Sequence, residues 1–283
     1  MKLLIELDGH QEISMDSFGF PGGERHIQLP TGMVSNAAFA MVRAKIQSAD
    51  DVMDLLLTEN ALRHRYGKSL KIDLEIPYLP YARQDRVCAE GQAFSLEVMA
   101  RLLNGMNLRT MITWDCHSGI GIKLTQAENI SAANIIESCP ELLRLLRRPE
   151  TVLVCPDRGA VPRCDEIRET VGVGSMICSE KRRNPETGKI THTEVLADDL
   201  SGLTAVIADD ICDGGFTFIK IAEQLKSKNA ERVILYVTHG IFSKGISVFD
   251  GLIDEIYTTK SFDRTVTDKR ITEINYRYKG EQQ

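Results

Sequence analysis

A chain of 283 residues is long enough for two compact domains, which excludes a peptide or an isolated binding motif. Its residues are 43% hydrophobic and 26% charged, a composition too apolar for intrinsic disorder. Lys and Arg number 34 against 40 Asp and Glu, and the resulting net charge of -6 excludes a protein that mainly coats nucleic acid.

The chain begins MKLLIELDGH, in which Glu6 and Asp8 come before any apolar segment of the signal-peptide type. Nowhere do about 18 apolar residues follow one another, so no transmembrane helix is predicted. We therefore expect a soluble cytoplasmic protein that does not bind membranes. The seven cysteines are scattered without a C-x-x-C pair, which indicates neither a disulfide framework nor a zinc site.

Apolar runs of strand length alternate with segments of helical period along the chain, and this alternation predicts an α/β fold with mainly parallel sheets. In the first half, Asp50 and Asp51 are predicted to cap a helix that ends at Gly67. Further elements are expected in the order strand, helix, strand: residues 72–76, 95–104 and 109–113.

One helix is predicted from residue 131 to 148, and a domain boundary near its start gives domains of residues 1–132 and 133–283. A helix over 216–228 is expected among four strands: residues 151–155, 175–178, 203–208 and 232–237. The segment KRRNPETGKITHT is predicted to be a mobile loop. From Ile271 onward we expect a weak strand and a frayed tail.

Polar residues that follow predicted strands are the first candidates for a ligand site, because ligands of parallel sheets bind at the carboxyl ends of strands. The segment AVIADDICDGGFTF, residues 205–218, is the most specific. Its neighbouring Asp209 and Asp210 must face solvent, a cation or sugar hydroxyls, since adjacent carboxylates cannot both be buried unpaired. The glycines after Asp213 let backbone amides turn toward a phosphate at a helix N-terminus. A solvated Asp-Gly turn capped by Asp213 is the alternative.

Three further loops follow predicted strands. PYLPYARQDR contains Arg83, Gln84 and Asp85, which suit a base and its phosphates, or a surface loop with a local Arg-Asp ion pair. In DCHSG, His117 suits a metal, a phosphate or the role of a half-buried polar residue. In CPDRGAVPR, Asp157 taken alone suits the cap of a helix.

Lys181, Arg182 and Arg183 form a cationic run in an acidic protein. Such a run is usually a solvated surface. It also suits a lid, because charge spread over phosphoryl oxygens is stabilised by positioned Lys, Arg and Mg²⁺ rather than by covalent chemistry. Acidic, glycine-rich and cationic loops together would suit a pair of phosphate-rich ligands.

These segments resemble the ribose-phosphate diphosphokinases, the family of phosphoribosyl pyrophosphate (PRPP) synthetases. The resemblance rests on motifs in the family's order over about residues 18–260: FPGGE, PYLPYARQDR, DCHS, CPDRGAVPR, EKRRNP, ADDICDGGFT and YVTHGIFS. It implies transfer of the diphosphoryl group of ATP to the C1 hydroxyl of ribose 5-phosphate, giving PRPP and AMP with Mg²⁺ as cofactor. It also implies two phosphoribosyltransferase-like, Rossmann-like domains and a homo-oligomer, either a hexamer or dimer-based.

The resemblance also implies which residues bind each ligand. The ribose 5-phosphate site would contain Asp209, Asp210, Asp213, Gly214, Gly215 and Thr217. The ATP site would contain Phe20, Glu24, Arg83, Gln84, Asp85 and His117, with the first two reaching the adenine of a neighbouring subunit. His117 and Asp157 resemble the family's metal-site residues. Lys181 and Arg183 would be catalytic and close over the transferring group.

The sequence also departs from the family pattern. Gly22 stands where an acidic residue is usual, which concerns the selectivity for adenine. Phe216 replaces a small residue of the phosphate loop, and both chain ends look trimmed. The chain therefore resembles a divergent member of the family.

Two other functions stay open. A phosphoribosyltransferase that consumes PRPP has a loop similar to residues 205–218, but that function explains neither ARQDR nor KRR and needs only one such domain. A catalytically silent regulatory subunit would be expected to lose charge in the cationic run or the acidic pair. This sequence retains both.

Overall fold

The structure is a computed structural model that describes residues 3–9, 11–15, 17–183, 190–263 and 266–278, with only the backbone described at 181–183 and 190–193. It divides into two compact units, Met1–Ile130 and Ser131–Gln283, close to the predicted boundary. Each unit has parallel strands flanked by helices, which confirms the predicted fold class. No helix in the described ranges is both long and apolar enough to span a bilayer.

The first unit contains a six-stranded sheet. Its elements in chain order are β1 (Leu3–Leu7), β2 (Gln11–Met15), β3 (Ser17–Gly19), β4 (Arg25–Ile27), β5 (Phe39–Ala44), α1 (Ala49–Tyr66), β6 (Lys71–Glu75), α2 (Ser95–Asn104), β7 (Thr110–Trp114), α3 (Gly119–Thr125) and β8 (Glu128–Ile130). The strand order is β2-β1-β5-β6-β7-β8, with β5 to β8 parallel. Strands β3 and β4 form a separate hairpin.

The N-cap of helix α1 lies two residues before the first of the two predicted capping residues. Ser48 is the N-cap, because its hydroxyl accepts a hydrogen bond from the backbone of Asp51 at 3.2 Å, and the Asp51 carboxylate accepts one from the Ser48 backbone at 2.8 Å. Of the two predicted capping residues, Asp51 therefore takes part in a capping box with Ser48, whereas Asp50 lies in the first turn. The helix ends before Gly67, as predicted, and α2 has the predicted bounds.

The second unit contains a seven-stranded sheet. Its elements are α4 (Ala132–Glu137), α5 (Pro140–Leu146), β9 (Thr151–Cys155), α6 (Val161–Ile167), β10 (Ser175–Arg183), β11 (Ile190–Val195), β12 (Thr204–Cys212), α7 (Phe216–Ser227), β13 (Arg232–Gly240), β14 (Glu255–Thr259) and β15 (Ile271–Ile274). The order is β11-β10-β9-β12-β13-β14-β15, and all neighbours are parallel except β10 and β11.

Two features of the second unit correct the sequence predictions. The helix predicted over 131–148 is interrupted at Ser138 and Cys139, because Pro140 starts a new helix and cannot donate a hydrogen bond to the preceding turn. Strand β12 continues to Cys212, so the two adjacent carboxylates lie within the strand and not in a loop after it.

The segment predicted as a mobile loop is only partly described. The backbone of Lys181, Arg182 and Arg183 continues β10 and pairs with β11, so the cationic run lies on a strand. The rest of that loop, residues 184–189, lies outside the described residues. The weak strand predicted from Ile271 is β15, and residues 279–283 of the expected tail are also outside the description.

The β3–β4 hairpin is attached to α1 by a buried ion pair. Arg25 donates two hydrogen bonds, at 2.9 and 2.5 Å, to the two carboxylate oxygens of Asp54, which is fully buried. Burial opposes ionisation of Asp54, but the hydrogen bonds from Arg25 and Ser17 outweigh it and hold the pKa of Asp54 below its usual value.

We expect Arg25→Ala to lower Tm, because the substitution leaves the Asp54 carboxylate buried without its cation. In the unaltered protein this pair stabilises while Asp54 is ionised, and its contribution is lost as pH falls through the lowered pKa. The Tm difference between the two proteins should therefore shrink as pH falls below the usual carboxyl pKa of about 4. Thermal unfolding followed by circular dichroism measures it. Arg101→Ala, which removes an exposed ion pair with Glu97, is the control, and equal losses in both variants would contradict the expectation.

Candidate functional site

The second unit has a topological switch between β9 and β12. From β9 the chain passes to β10 on one side of the sheet, and it then returns to β12 on the other side. Ligands of open α/β sheets bind at the carboxyl ends of strands at such a switch. Asp157 follows β9, and the ADDICDGGFT motif covers the end of β12, so the polar residues predicted for a ligand site flank this position.

Asp209 and Asp210 are both paired with Arg163 of α6, a residue that the sequence analysis did not select. Nη1 of Arg163 lies 3.3 Å from Oδ1 of Asp209, and Nη2 lies 3.7 Å from Oδ2 of Asp210. The three side chains are largely buried, with exposed fractions of 13%, 20% and 5%. The chain itself thus supplies a cation for the adjacent carboxylates.

Burial raises the pKa of Asp209 well above its usual value, and the neighbouring charge of Asp210 raises it further against the opposing effect of Arg163. Ionisation of both carboxylates therefore lowers the stability of the folded protein. A ligand that donates hydrogen bonds to these carboxylates, such as a polyol, would reduce that cost.

We expect Asp209→Asn to raise Tm by a few degrees at neutral pH. A carboxyl group whose pKa is raised by folding destabilises the folded state once pH exceeds its unfolded value, about 4, so the gain should grow as pH rises from there. Thermal unfolding across this pH range measures the effect. Asp165→Asn, on the exposed side of the same helix α6, is the matched control and should change Tm little. A lower Tm for Asp209→Asn at neutral pH would contradict the assigned cost.

The turn between β12 and α7 has the geometry of an anion-binding loop. Gly215 is the N-cap of α7 with φ 81°, and a Cβ there would lie 2.6 Å from Cζ of Phe249, so only glycine fits. Within the described ranges no side chain caps the start of α7. Gly214 and the first turn, which includes Thr217, therefore present backbone amides at the positive end of the helix dipole.

A serine from another loop fixes the conformation of this turn. Ser243, in the YVTHGIFS motif, donates from Oγ to the Asp213 carboxylate at 2.6 Å and from its backbone to the Asp213 carbonyl at 3.1 Å. This motif is part of the family resemblance, but no role was predicted for Ser243. The side chain of Phe216 is 71% exposed, so this large residue does not occupy the turn.

Asp157 caps the short helix that follows β9. Its Oδ1 accepts hydrogen bonds from the backbone of Gly159 at 2.9 Å and of Ala160 at 3.2 Å. The capping role considered from the sequence is thus present, and it fixes the carboxylate at the carboxyl end of a central strand.

In the first unit, the ARQDR and DCHS loops follow β6 and β7, which are neighbouring parallel strands. Arg83 and Gln84 are exposed, and Asp85 is half-buried with its Oδ1 3.5 Å from Nε of Arg86, the local ion pair considered from the sequence. His117 is exposed. Each loop also contains a non-glycine residue with positive φ: Tyr81 at 63° and Asp115 at 38°. Such backbone strain is concentrated at functional sites.

The FPGGE motif forms the turn of the β3–β4 hairpin. The side chain of Phe20 is 51% exposed, and its ring centroid lies 5.4 Å from that of Phe18 and 5.9 Å from that of His26. Glu24 is exposed beside it. The hairpin thus presents an aromatic cluster and a carboxylate to solvent.

Two further predictions concern a metal site and the cationic run. In the described part of the chain, no group of three His, Cys, Asp or Glu side chains is arranged to hold a metal. The side chains of Lys181 and Arg183 lie outside the described residues, so their catalytic role stays a prediction.

A groove of about 400 Å³ between α1 and α2 is a poor match for a polyphosphate. It is lined mainly by apolar side chains such as Val52, Leu56 and Val98. Phosphate oxygens need N–H donors and cations, which the polar loops supply and this groove does not.

The chain is similar to proteins of one family over most of its length. A family model for the N-terminal domain of ribose phosphate pyrophosphokinase matches residues 7–106, and one for the phosphoribosyl transferase domain matches residues 125–248. A ribose-phosphate pyrophosphokinase of Pyrococcus furiosus is 30% identical over 253 residues, 88% of this chain and 86% of that protein. One from Thermococcus kodakarensis is 28% identical over 253 residues, 88% of this chain and 85% of that protein.

The fold has a solved counterpart. The crystal structure of a phosphoribosylpyrophosphate synthetase from Mycobacterium smegmatis superimposes with a TM-score of 0.75, covering 92% of this chain and 85% of that chain. At 20% identity this match supports the fold alone.

Proposed function

The chain belongs to the ribose-phosphate pyrophosphokinase family, enzymes of PRPP synthesis, and we propose that it transfers the diphosphoryl group of ATP to the C1 hydroxyl of ribose 5-phosphate. The products are PRPP and AMP. The sugar hydroxyl attacks the β-phosphorus directly, so no side chain serves as a covalent nucleophile.

The observation that carries this proposal is the acidic pair beside an uncapped helix N-terminus at the switch of the second sheet. The carboxylates of Asp209 and Asp210 accept hydrogen bonds from sugar hydroxyls, while the amides of the turn after Asp213 bind the 5-phosphate. A pentose phosphate presents both kinds of group at opposite ends. Arg163 holds the pair in place until the sugar arrives.

We assign ATP to the loops of the first unit. Arg83 provides a guanidinium for phosphate or base stacking, and Gln84 an amide for hydrogen bonding to the base. Oδ1 of Asp85 lies 3.5 Å from Nε of Arg86, and this ion pair orients the Arg86 guanidinium. The exposed Phe20 and Glu24 of the hairpin suit an adenine held by a second copy of the chain, and we therefore propose a homo-oligomer.

Mg²⁺ fits the donors that the proposal assigns to it. This ion takes oxygen ligands, usually one or two carboxylates together with substrate phosphates, and so requires no cage of three protein ligands. Asp157, fixed by its capping hydrogen bonds, suits it, whereas the imidazole of His117 suits a phosphate oxygen better. When bound, the ion would neutralise charge on the phosphoryl oxygens.

The two alternatives explain less. A phosphoribosyltransferase has no use for the first unit, whose sequence matches a pyrophosphokinase domain. A silent subunit has no reason to keep Asp209, Asp210 and Asp213 together with Lys181 and Arg183.

Purified protein with Mg²⁺, ATP and ribose 5-phosphate is expected to release AMP and PRPP in equal amounts, measured by ion-exchange chromatography. Asp210→Asn should lose this activity, and Asp165→Asn should keep it. No AMP above the no-sugar control would reject the proposal, and consumption of added PRPP with a free base would favour the transferase. The silent-subunit alternative is tested by adding the chain to an active synthetase and measuring AMP release.

A further inference from the structure

Three thiols meet under the carboxyl end of β9. Cys155 ends β9, Cys178 lies opposite it in register on β10, and Cys164 lies on α6. The thiol of Cys155 is close enough to both others for them to affect its pKa. Cys155 and Cys164 are buried, whereas Cys178 is partly exposed. The cluster therefore extends from the surface into the interior.

The register of the two strands suits a covalent link between Cys155 and Cys178. Neighbouring strands lie about 4.8 Å apart, within the Cα separation of roughly 4.4–6.8 Å that disulfides span. Residues in register on parallel strands point to the same face, and here each thiol affects the pKa of the other. No large backbone movement is needed to join them.

We propose that Cys155 and Cys178 form a reversible disulfide when a hydroperoxide oxidises the exposed thiol. In the first step the Cys178 sulfur takes an oxygen from the hydroperoxide to become a sulfenic acid, and the oxidant is reduced to water or an alcohol. In the second step the Cys155 sulfur attacks Cys178, the S–S bond forms, and the hydroxyl leaves as water with the Cys155 proton.

The link would act on the loop that contains Asp157. In the reduced protein the Cys155 thiol donates a hydrogen bond to the Asp157 carbonyl at 3.0 Å. Oxidation removes that proton, so the loop loses a contact at the end of β9. We expect AMP release to fall in the oxidised protein and to return with a thiol reductant. This second expectation rests on the proposed function, whereas the disulfide does not.

The test is peptide mapping of the full-length protein after treatment with hydrogen peroxide and blocking of free thiols. A linked pair of peptides containing Cys155 and Cys178, separated by reductant, is the expected result. Burial and the neighbouring Cys155, with smaller effects of Asp165 and Glu180, raise the pKa of the Cys178 thiol, so the link should form faster as pH rises. Cys178→Ser should abolish the link, and Cys88→Ser, at an exposed thiol of the first unit, should not.

Three outcomes would overturn the proposal: oxidation confined to Cys88, a Cys178 sulfenic or sulfinic acid that never links, or a link between Cys155 and Cys164 instead. A link without loss of AMP release by an active enzyme would refute only its effect on the loop. If the protein releases no AMP even when reduced, the proposed function fails and the mapping still decides the disulfide.

Discussion

Replacing Lys181 by Ala is expected to lower kcat for AMP release by about 10²–10³-fold, the usual effect of removing one preorganised donor to a transition state. The affinity of the variant for ribose 5-phosphate should stay unchanged, because a cation that acts on the transferring diphosphoryl group stabilises mainly the transition state. Lys181 lies on β10 opposite Thr193 of β11, so the cationic run begins from a hydrogen-bonded strand.

Steady-state AMP release gives kcat, and titration calorimetry gives the affinity for ribose 5-phosphate. Lys260→Ala is the matched control, because Lys260 belongs to the same unit and its removal breaks only an exposed ion pair with Glu273. A normal kcat for Lys181→Ala, or a loss found wholly in the sugar affinity, would remove Lys181 from the catalytic group.

The elements best predicted from sequence are those whose boundaries depend on local chemistry. Helix α2 ends before Gly105, and β9 is a short apolar run bounded by Pro149 and Pro156, so both could be read directly. Strand β12 was predicted too short because apolar character ends at Asp209, whereas ladder hydrogen bonds to β13 continue to Cys212. A strand end is set by backbone pairing, which side-chain polarity does not report.

Candidate site residues could be selected from the sequence where their place directly after a predicted strand was the only information needed. Residues after strands were selected by the rule that ligands bind there, and the structure places Asp213 and Gly215 in the turn between β12 and α7. Arg163 was missed because its partner Asp209 is 46 residues away, and only the packing of α6 beside β12 brings them together. The position of Cys155 opposite Cys178 was missed likewise, since it depends on the register of two strands. Local patterns contain no information on such distances.

Replacing Gly215 by Ala is expected to destabilise the protein and to abolish most of its affinity for ribose 5-phosphate. A left-handed φ of 81° costs a residue with a Cβ roughly 1–2 kcal/mol. The new methyl group would also overlap the ring of Phe249, with Cζ at 2.6 Å, and Phe249 is fully buried and cannot move away freely. The turn must therefore shift, which displaces the amides proposed to bind the 5-phosphate.

Gly174→Ala separates this effect from a general loss of glycine flexibility. A Cβ at Gly174 meets open space within the same unit, so Tm and sugar affinity should both remain close to those of the unaltered protein. Affinity is compared at a temperature well below both unfolding transitions, where the destabilised variant is still folded. If Gly215→Ala lowers Tm but binds ribose 5-phosphate normally, the glycine is needed only for packing against Phe249. We expect both Tm and ribose 5-phosphate affinity to fall, because the same backbone position is needed for packing and for the orientation of the amides.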